Sequence, residues 1–206
     1  MTQSPGKCTT AAGVLDAQSW SVISLAPRLD GSLSGVYTWA TAPDLCITRQ
    51  SVTLRPTRDA DTRSAPPEPA AQNARVPSPA AALKGTYTYT QSYPVTGEVF
   101  PAHSYAGSTY CLRTGVRCLT VMATPDTGNV LVMVFGDGRW SAKYPEAESP
   151  CTDGVGMARQ TSTDDFPLPQ GPQGPIIQLT GKSHLEFIGD CPGTAELDVK
   201  LQRTGD

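Results

Sequence analysis

Short apolar runs separated by turn-forming residues dominate the sequence. The clearest example is residues 111–144, in which the apolar runs 119–123 and 130–135 flank the segment TPDTGN. A second turn cluster, residues 136–138, leads to Trp140. Short β-rich runs between clusters of Pro, Asp, Asn and Gly are typical of an antiparallel meander.

Other segments strengthen the β interpretation. Residues 86–90 and 197–201 alternate between the two faces of a strand, whereas residues 130–135 are apolar at every position and should be covered on both faces. Gly or Pro interrupts nearly every window long enough for a helix. We predict an all-β fold: an antiparallel meander that forms a small disulfide-bonded barrel or sandwich, with a partial repeat at the N-terminus. Strand count alone does not separate barrel from sandwich.

The partial repeat is visible as a recurring order of features. Residues 1–59 carry a series of Cys, Gly, Cys and Leu that returns in the C-terminal segment at a nearly constant offset of 143 to 147 residues. The matched pairs are Cys8 and Cys151, Gly35 and Gly181, Cys46 and Cys191, and Leu54 and Leu201. Such regular self-similarity indicates an internal repeat.

The repeat suggests a division of the chain. Residues 60–82 are rich in Ala and Pro and are predicted to be a linker. Residues 83–206 form a complete β domain, and residues 1–59 correspond only to its back half. We expect the front half of the first copy to lie upstream of residue 1. Alternatively, residues 1–59 add strands to the sheet of the second unit.

The six cysteines indicate disulfides and an oxidising compartment. Zinc sites prefer closer spacing than the six residues between Cys111 and Cys118. Of fifteen possible connectivities, the repeat selects Cys8 with Cys46 and Cys151 with Cys191. That choice leaves Cys111 with Cys118.

Net charge and hydropathy limit which partners and which cellular compartment the sequence is compatible with. A net charge of −3 and a pI near 5.4 argue against nucleic acid as a partner. No apolar run approaches the roughly 18 residues of a membrane span, and the first residues have no signal-peptide core. We therefore expect an extracytoplasmic fragment of a longer protein, either secreted or attached to the cell membrane through an upstream segment.

Candidate catalytic groups are few. Asp126 opens the triplet DTG of aspartic proteases, but those enzymes need two such carboxylates, and the flanking residues indicate a hairpin turn. His103 and His184 are the only histidines, with no G-x-S-x-G or H-E-x-x-H motif near them. We predict no metal, no cofactor and no catalytic residue. An envelope hydrolase centred on Asp126 or His103 remains a less favoured alternative.

Aromatic residues are the candidate ligand site. Aromatic rings at the mouth of a β domain bind sugars, lipids or peptides, although core packing is the favoured interpretation. The possible ligand-binding residues are Tyr87, Tyr89, Tyr105, Tyr110 and Trp140.

Several motifs carry a family resemblance. They are L-x-G-x-Y-T at 83–88, C…C-L-x-V at 111–121, G-D-G-R-W at 136–140, C-T-D-G at 151–154, L-T-G at 179–181, C-P-G at 191–193 and L-x-R-T-G-D at 201–206. With these motifs the chain resembles the extracytoplasmic region of actinobacterial, especially mycobacterial, receptor-type Ser/Thr protein kinases and related envelope proteins. The resemblance covers nearly all of residues 83–206 and part of 1–59.

The resemblance implies a sensor or ligand-binding module and carries over no catalytic residue. The kinase Gly-rich loop and H-R-D motif are absent from the sequence. We expect a non-enzymatic module that binds an envelope glycan, peptide or lipid, or a protein partner, with a possible dimer through a sheet edge. A stand-alone secreted envelope protein with a structural role is the alternative.

Overall fold

The computed structural model describes residues 1–10, 13–42, 46–55, 74–125, 129–152, 154–170 and 174–206. These residues form β-strands and one 3-10 turn, Pro79–Ala82, and no α-helix occurs among them, which confirms the all-β prediction. The strands are β1 Thr2–Thr10, β2 Gly13–Pro27, β3 Leu33–Ala42, β4 Ile47–Leu54, β5 Gly85–Ser92, β6 His103–Cys111, β7 Cys118–Ala123, β8 Val130–Gly136, β9 Arg139–Pro150, β10 Met157–Pro167, β11 Gln178–Gly189 and β12 Gly193–Gly205.

Strands β5 to β12 close into an eight-stranded antiparallel barrel. Each strand pairs with the next one along the chain, and β12 pairs with β5 to complete the ring. The turn between β8 and β9 has positive φ angles of 53° at Asp137 and 75° at Gly138. This is the geometry that favours Asp-Gly in two-residue hairpins, because its twist matches that of the flanking strands. Of the two predicted architectures, the barrel is the one formed.

Alternating side chains fill the barrel interior. Its largest fully buried members include Tyr87, Met122, Met133 and Trp140. One end of the barrel packs against residues 74–82, the described part of the predicted linker, where Ala80 is fully buried. The other part of that linker lies outside the described residues.

Strands β1 to β4 form a separate four-stranded antiparallel sheet. This sheet does not extend the barrel; it packs against the outside of β7 and β8. The contact is apolar and is made by Trp20, Val22 and Ala40 on the sheet and by Leu119, Val121 and Val132 on the barrel. Strand β8 is therefore apolar toward both the barrel interior and the sheet, as the unbroken apolar run predicted.

Three disulfides join the pairs that the repeat selected. Cys8 bonds to Cys46 and Cys151 bonds to Cys191, with Cα–Cα distances of 5.5 and 5.9 Å. The third bond links the end of β6 to the start of β7. None of the described segments forms a helix long and apolar enough to cross a membrane.

Candidate functional site

A buried carboxylate lies inside the barrel. Asp164 is on β10, two residues before Phe166, so both side chains point into the interior, and both are fully buried. A carboxylate that leaves water must find hydrogen-bond donors. Tyr89 on β5 and Tyr144 on β9 provide them, each donating a hydroxyl hydrogen bond of 2.8 Å to Oδ2.

The other oxygen of the carboxylate is not satisfied in this way. Asp164 Oδ1 is buried without a hydrogen-bond partner among the described residues, and so is the hydroxyl of Ser183. The two residues are cross-strand neighbours in the register of β10 and β11. Burial raises the pKa of the Asp164 carboxyl; the nearby Ser183 hydroxyl, which lies outside hydrogen-bonding geometry, and the hydrogen bonds from Tyr144 and Tyr89 oppose this rise.

The tyrosines around Asp164 are held in their neutral form. Burial, followed by the nearby charge of Asp164, raises the pKa of Tyr89, Tyr105 and Tyr144. The phenols of Tyr89 and Tyr144 therefore remain hydrogen-bond donors across the physiological range. This tyrosine–aspartate cluster, composed of Tyr89, Tyr105, Tyr144, Asp164 and Ser183, can couple the barrel to proton uptake.

The five predicted ligand-binding aromatics do not share one surface. Tyr87, Tyr89 and Trp140 lie in the barrel core, and the Tyr87 hydroxyl donates a hydrogen bond of 2.8 Å to the carbonyl of Ile176. Tyr105 is partly buried, with its ring edge-on to Tyr89 at a centroid distance of 6.2 Å.

Tyr110 is partly buried on the outside of the barrel, in the apolar contact with the N-terminal sheet. The ring of Tyr105 packs against the barrel interior and that of Tyr110 against the outside, so these two partly buried rings do not share a surface. A ligand-binding role for the five residues stays a prediction.

Of the two candidate hydrolase residues, His103 and Asp126, the structure describes His103 alone. His103 is exposed at the start of β6, and Asp126 lies outside the described residues. The ring of His184 is 2.5 Å from Glu196 Oε1 on an exposed strand pair. Among the residues that the structure describes, no group of His, Cys, Asp and Glu is arranged to hold a metal ion.

A cleft of about 200 Å3 lies where the N-terminal sheet meets the barrel. Both units contribute to it because one face of β2 and β3 packs on the outer face of β8. We call it the junction cleft. It is lined by Gln18, Trp20, Thr41, Ala42, Arg117, Val132, Val134, Ser141 and Lys143.

The junction cleft combines an apolar floor with cationic and polar groups. Trp20, Val132 and Val134 supply the apolar surface, and Arg117 and Lys143 supply positive charge. Trp20 is fully buried, and its Nε1–H has no hydrogen-bond partner among the described atoms. A buried indole N–H usually has an acceptor. Chemically, the cleft suits a group that is anionic at one end and apolar at the other.

The residues of the junction cleft were not singled out from the sequence. Trp20 and Val22 share one face of β2, and Leu119 and Val121 share one face of β7. This alternation shows that both strands have a buried face. It does not show that the two faces meet, since the strands are about a hundred residues apart in the chain.

Comparisons with known proteins give one similarity. No protein-family model matches the chain, and no curated protein matches it. A solved structure described as the monomer form of the M. tuberculosis PknI sensor domain is 23% identical to the chain, with a TM-score of 0.41. The match covers 65% of this chain and 92% of that one.

Proposed function

We propose that the chain is a non-enzymatic extracytoplasmic sensor or ligand-binding module, the external part of a transmembrane Ser/Thr kinase. The observation that carries the proposal is the junction cleft, because its walls come from two separate sheets. Three disulfides suit a protein that folds in an oxidising compartment. The family resemblance supplies the kinase part of the proposal.

The ligand of the junction cleft is an envelope component that bears a carboxylate or phosphate group. The positive charges of Arg117 and Lys143 attract that group, while the side-chain amide of Gln18 offers a hydrogen bond. The valines of β8 contact an adjoining apolar part of the ligand. Acidic glycan, peptide and lipid fragments of the envelope share this chemistry.

A ligand bound in the junction cleft changes how the N-terminal sheet and the barrel are positioned relative to each other. A ligand that contacts Trp20 on the sheet and Val132 on the barrel stabilises their contact. Because a ligand shifts an equilibrium only by its difference in affinity between two states, the effect is largest if the units also populate a separated state. The attached domains would then change position when the ligand binds.

The test is a titration with purified acidic cell-wall fragments, followed by chemical shifts in the nuclear magnetic resonance spectrum. We expect saturable shifts for amides of β2, β3 and β8. The variant pair Arg117→Gln and Lys143→Gln should weaken binding by about tenfold or more. Lys7→Gln, an exposed change elsewhere on the N-terminal sheet, is the matched control and should leave binding unchanged.

Absence of saturable shifts would contradict the proposal. An equal loss of binding affinity in Arg117→Gln and Lys7→Gln would contradict it as well. A purely structural envelope protein would then be favoured. The packed interior of the barrel suits that second candidate, since its centre is filled by side chains such as Met122 and Trp140.

A further inference from the structure

The barrel wall is not hydrogen-bonded along its whole length. Strand β8 pairs with β9 only over residues 134–136, and the last pair is Val134 with Ser141. Both strands continue beyond this pair, β8 back to residue 130 and β9 on to residue 150. There β8 pairs with β7 and β9 pairs with β10. We call the gap between them the β8–β9 seam; it is closed at the pair of Val134 with Ser141.

Strand β9 leaves β8 because it contains a bulge with a proline. The register of β9 and β10 shifts between Gln160 and Ser162, where β9 has two residues for one of β10. Such a bulge bends its strand. One of the two bulged residues is Pro145, which has no N–H to offer to a ladder with β8. The β8–β9 seam is therefore a consequence of the sequence of β9.

The edge of β8 presents backbone groups to this seam. The N–H of Thr124 donates to the carbonyl of Asn129 at the end of the β7–β8 ladder. Because ladder hydrogen bonds alternate along antiparallel strands, Val130 and Val132 point their N–H and C=O groups away from β7 and toward β9. No described residue of β9 pairs with either valine. A strand edge of this kind accepts an added strand.

The closed end of the seam carries positive charge. The junction cleft lies at this end, because its walls include Val132 of β8 and Ser141 of β9. Arg117 is also in its wall, with Nε 3.6 Å from where a Cβ of Gly136 would lie, and no carboxylate among the described residues pairs with it. The buried indole N–H of Trp20 lines the same cleft without a described acceptor. These two donors suit a carboxylate.

We propose that the junction cleft and the β8–β9 seam together bind the C-terminal end of an extended peptide. The peptide adds a strand to β8 through the backbone groups of Val130 and Val132. Its terminal carboxylate lies at the closed end of the seam and accepts hydrogen bonds from Arg117 and from Trp20 Nε1–H. An added strand cannot continue past that closed end, so a chain end fits there and an internal acidic residue does not.

The backbone edge of β8 is what selects a peptide. This inference rests on the proposed function, and it chooses one class among the acidic envelope fragments. A glycan or a lipid can place an anionic group near Arg117, but neither has the regularly spaced N–H and C=O groups that continue a β-ladder. An added strand also covers the backbone groups of Val130 and Val132, which otherwise form an open edge.

The probe is a synthetic hexapeptide of alternating threonine and valine, with a blocked amino end and a free terminal carboxylate. Its valines contact the outward side chain of Val132. Affinity is measured by calorimetric titration, and amide exchange by nuclear magnetic resonance. In the bound chain, the amides of Val130 and Val132 should exchange at least ~10-fold more slowly. Those of Leu131 and Met133, which bond to β7, are the internal control and should change by less than about twofold.

Two modifications of the peptide separate backbone pairing from charge. Amidation of the terminus removes the carboxylate and should weaken binding by about tenfold. N-methylation of alternate peptide nitrogens removes the donors along one edge of the added strand. Of the two possible sets, at least one should weaken binding by about tenfold or more, because its nitrogens face β8.

A protein variant locates the carboxylate. Arg117→Gln should lower the affinity for the free-carboxylate peptide by about tenfold, and it should change the affinity for the amidated peptide by less than about twofold. Lys200→Gln, an exposed change of one charge on β12, is the matched control and should leave both affinities unchanged. Equal losses for the two peptides in Arg117→Gln would overturn the position assigned to the carboxylate.

The outcomes distinguish this inference from the proposed function. If acidic wall fragments shift the amides of β2, β3 and β8 but the hexapeptide does not bind, the added strand is overturned and the junction cleft remains a binding site. If the hexapeptide binds and neither N-methylated set lowers its affinity, pairing with β8 is overturned. If neither the fragments nor the hexapeptide binds, both proposals fail.

Discussion

The hydroxyl of Tyr89 donates a 2.8 Å hydrogen bond to Asp164 Oδ2 inside the barrel. The same oxygen accepts a second hydrogen bond from Tyr144, so one carboxylate joins strands β5, β9 and β10. Because the pair is buried, its energy depends strongly on the charge of Asp164. The stability of the barrel should therefore respond to the protonation of one residue.

Replacing Asp164 with Asn should flatten the pH dependence of stability. Burial raises the folded-state pKa of Asp164 above the ordinary value of 3.8. Between those two pKa values the folded chain holds a proton that the unfolded chain has lost, so the free energy of unfolding falls as pH rises through this window. The loss is complete once the pH exceeds the folded pKa. Asp164→Asn has no such proton and should lack this fall.

Urea unfolding from about pH 4 to about pH 8 measures the effect. The control is Asp165→Asn, because the neighbouring carboxylate lies on the outside of the barrel, 3.1 Å from Arg139 Nη1. In this variant the free energy of unfolding should fall with rising pH as it does in the wild type, because Asp164 is still present. Parallel curves for the wild type and Asp164→Asn would contradict the prediction.

Removing either hydroxyl that holds Asp164 should destabilise the barrel. Tyr89→Phe and Tyr144→Phe each leave the carboxylate with one donor fewer, at a cost of about 1–3 kcal/mol in the free energy of unfolding at neutral pH. Tyr105→Phe is the matched control. Its ring lies in the same cluster, but no described residue makes a hydrogen bond to its hydroxyl, and the change should be within about 0.5 kcal/mol of the wild type.

A double-mutant cycle isolates the interaction energy between Tyr89 and Asp164. In an Asp164→Asn background, Tyr89→Phe should cost less than it does in the wild type, because the acceptor is no longer a carboxylate. Equal costs in both backgrounds would show that the hydroxyl acts through packing alone.

The fold class was predictable because its causes are local. Turn residues and apolar alternation are local features, and the unbroken apolar run 130–135 indicated burial on two faces. Closure of the barrel was not predictable. It depends on the pairing of β12 with β5, which joins segments more than a hundred residues apart, and a sandwich offers the same strands.

The tyrosine–aspartate cluster was missed for a different reason. In the segment TSTDDFP, Asp164 and Asp165 look like ordinary solvated acids. The spacing of two between Asp164 and the apolar Phe166 was the only local sign that one of them points inward. Its donors, Tyr89 and Tyr144, belong to distant strands, so only the three-dimensional structure shows that their hydroxyls meet one oxygen.

The disulfides should contribute unequally to stability. Loop closure in the unfolded chain predicts about 4 kcal/mol for Cys151–Cys191, whose residues are 40 apart, and about 2.5 kcal/mol for Cys111–Cys118, whose residues are 7 apart. Paired substitution by Ala at each bond, followed by chemical unfolding, measures the difference. A larger loss for the short loop would mean that packing of the buried Cys118, and not loop closure, dominates.

The last prediction concerns the two matched glycines. Gly181→Ala places a methyl group against the backbone oxygen of Asp165, so β10 and β11 must separate, at a cost of about 1–3 kcal/mol to the barrel. Gly35→Ala should do the same to β2 and β3 and leave the barrel intact. Gly193→Ala is the control, since a Cβ there meets no atom within 4 Å. It should be neutral or stabilise by up to about 1 kcal/mol, because alanine restricts the unfolded chain.

Hydrogen exchange resolved by segment separates the two sheets. If Gly35→Ala speeds exchange only in β1–β4, and Gly181→Ala speeds it in the barrel, the two glycines perform the same task in two independent places. If Gly35→Ala instead loosens both units equally, the N-terminal sheet and the barrel unfold as one cooperative body. In that case the apolar contact of Trp20 and Val132 is strong enough to couple them.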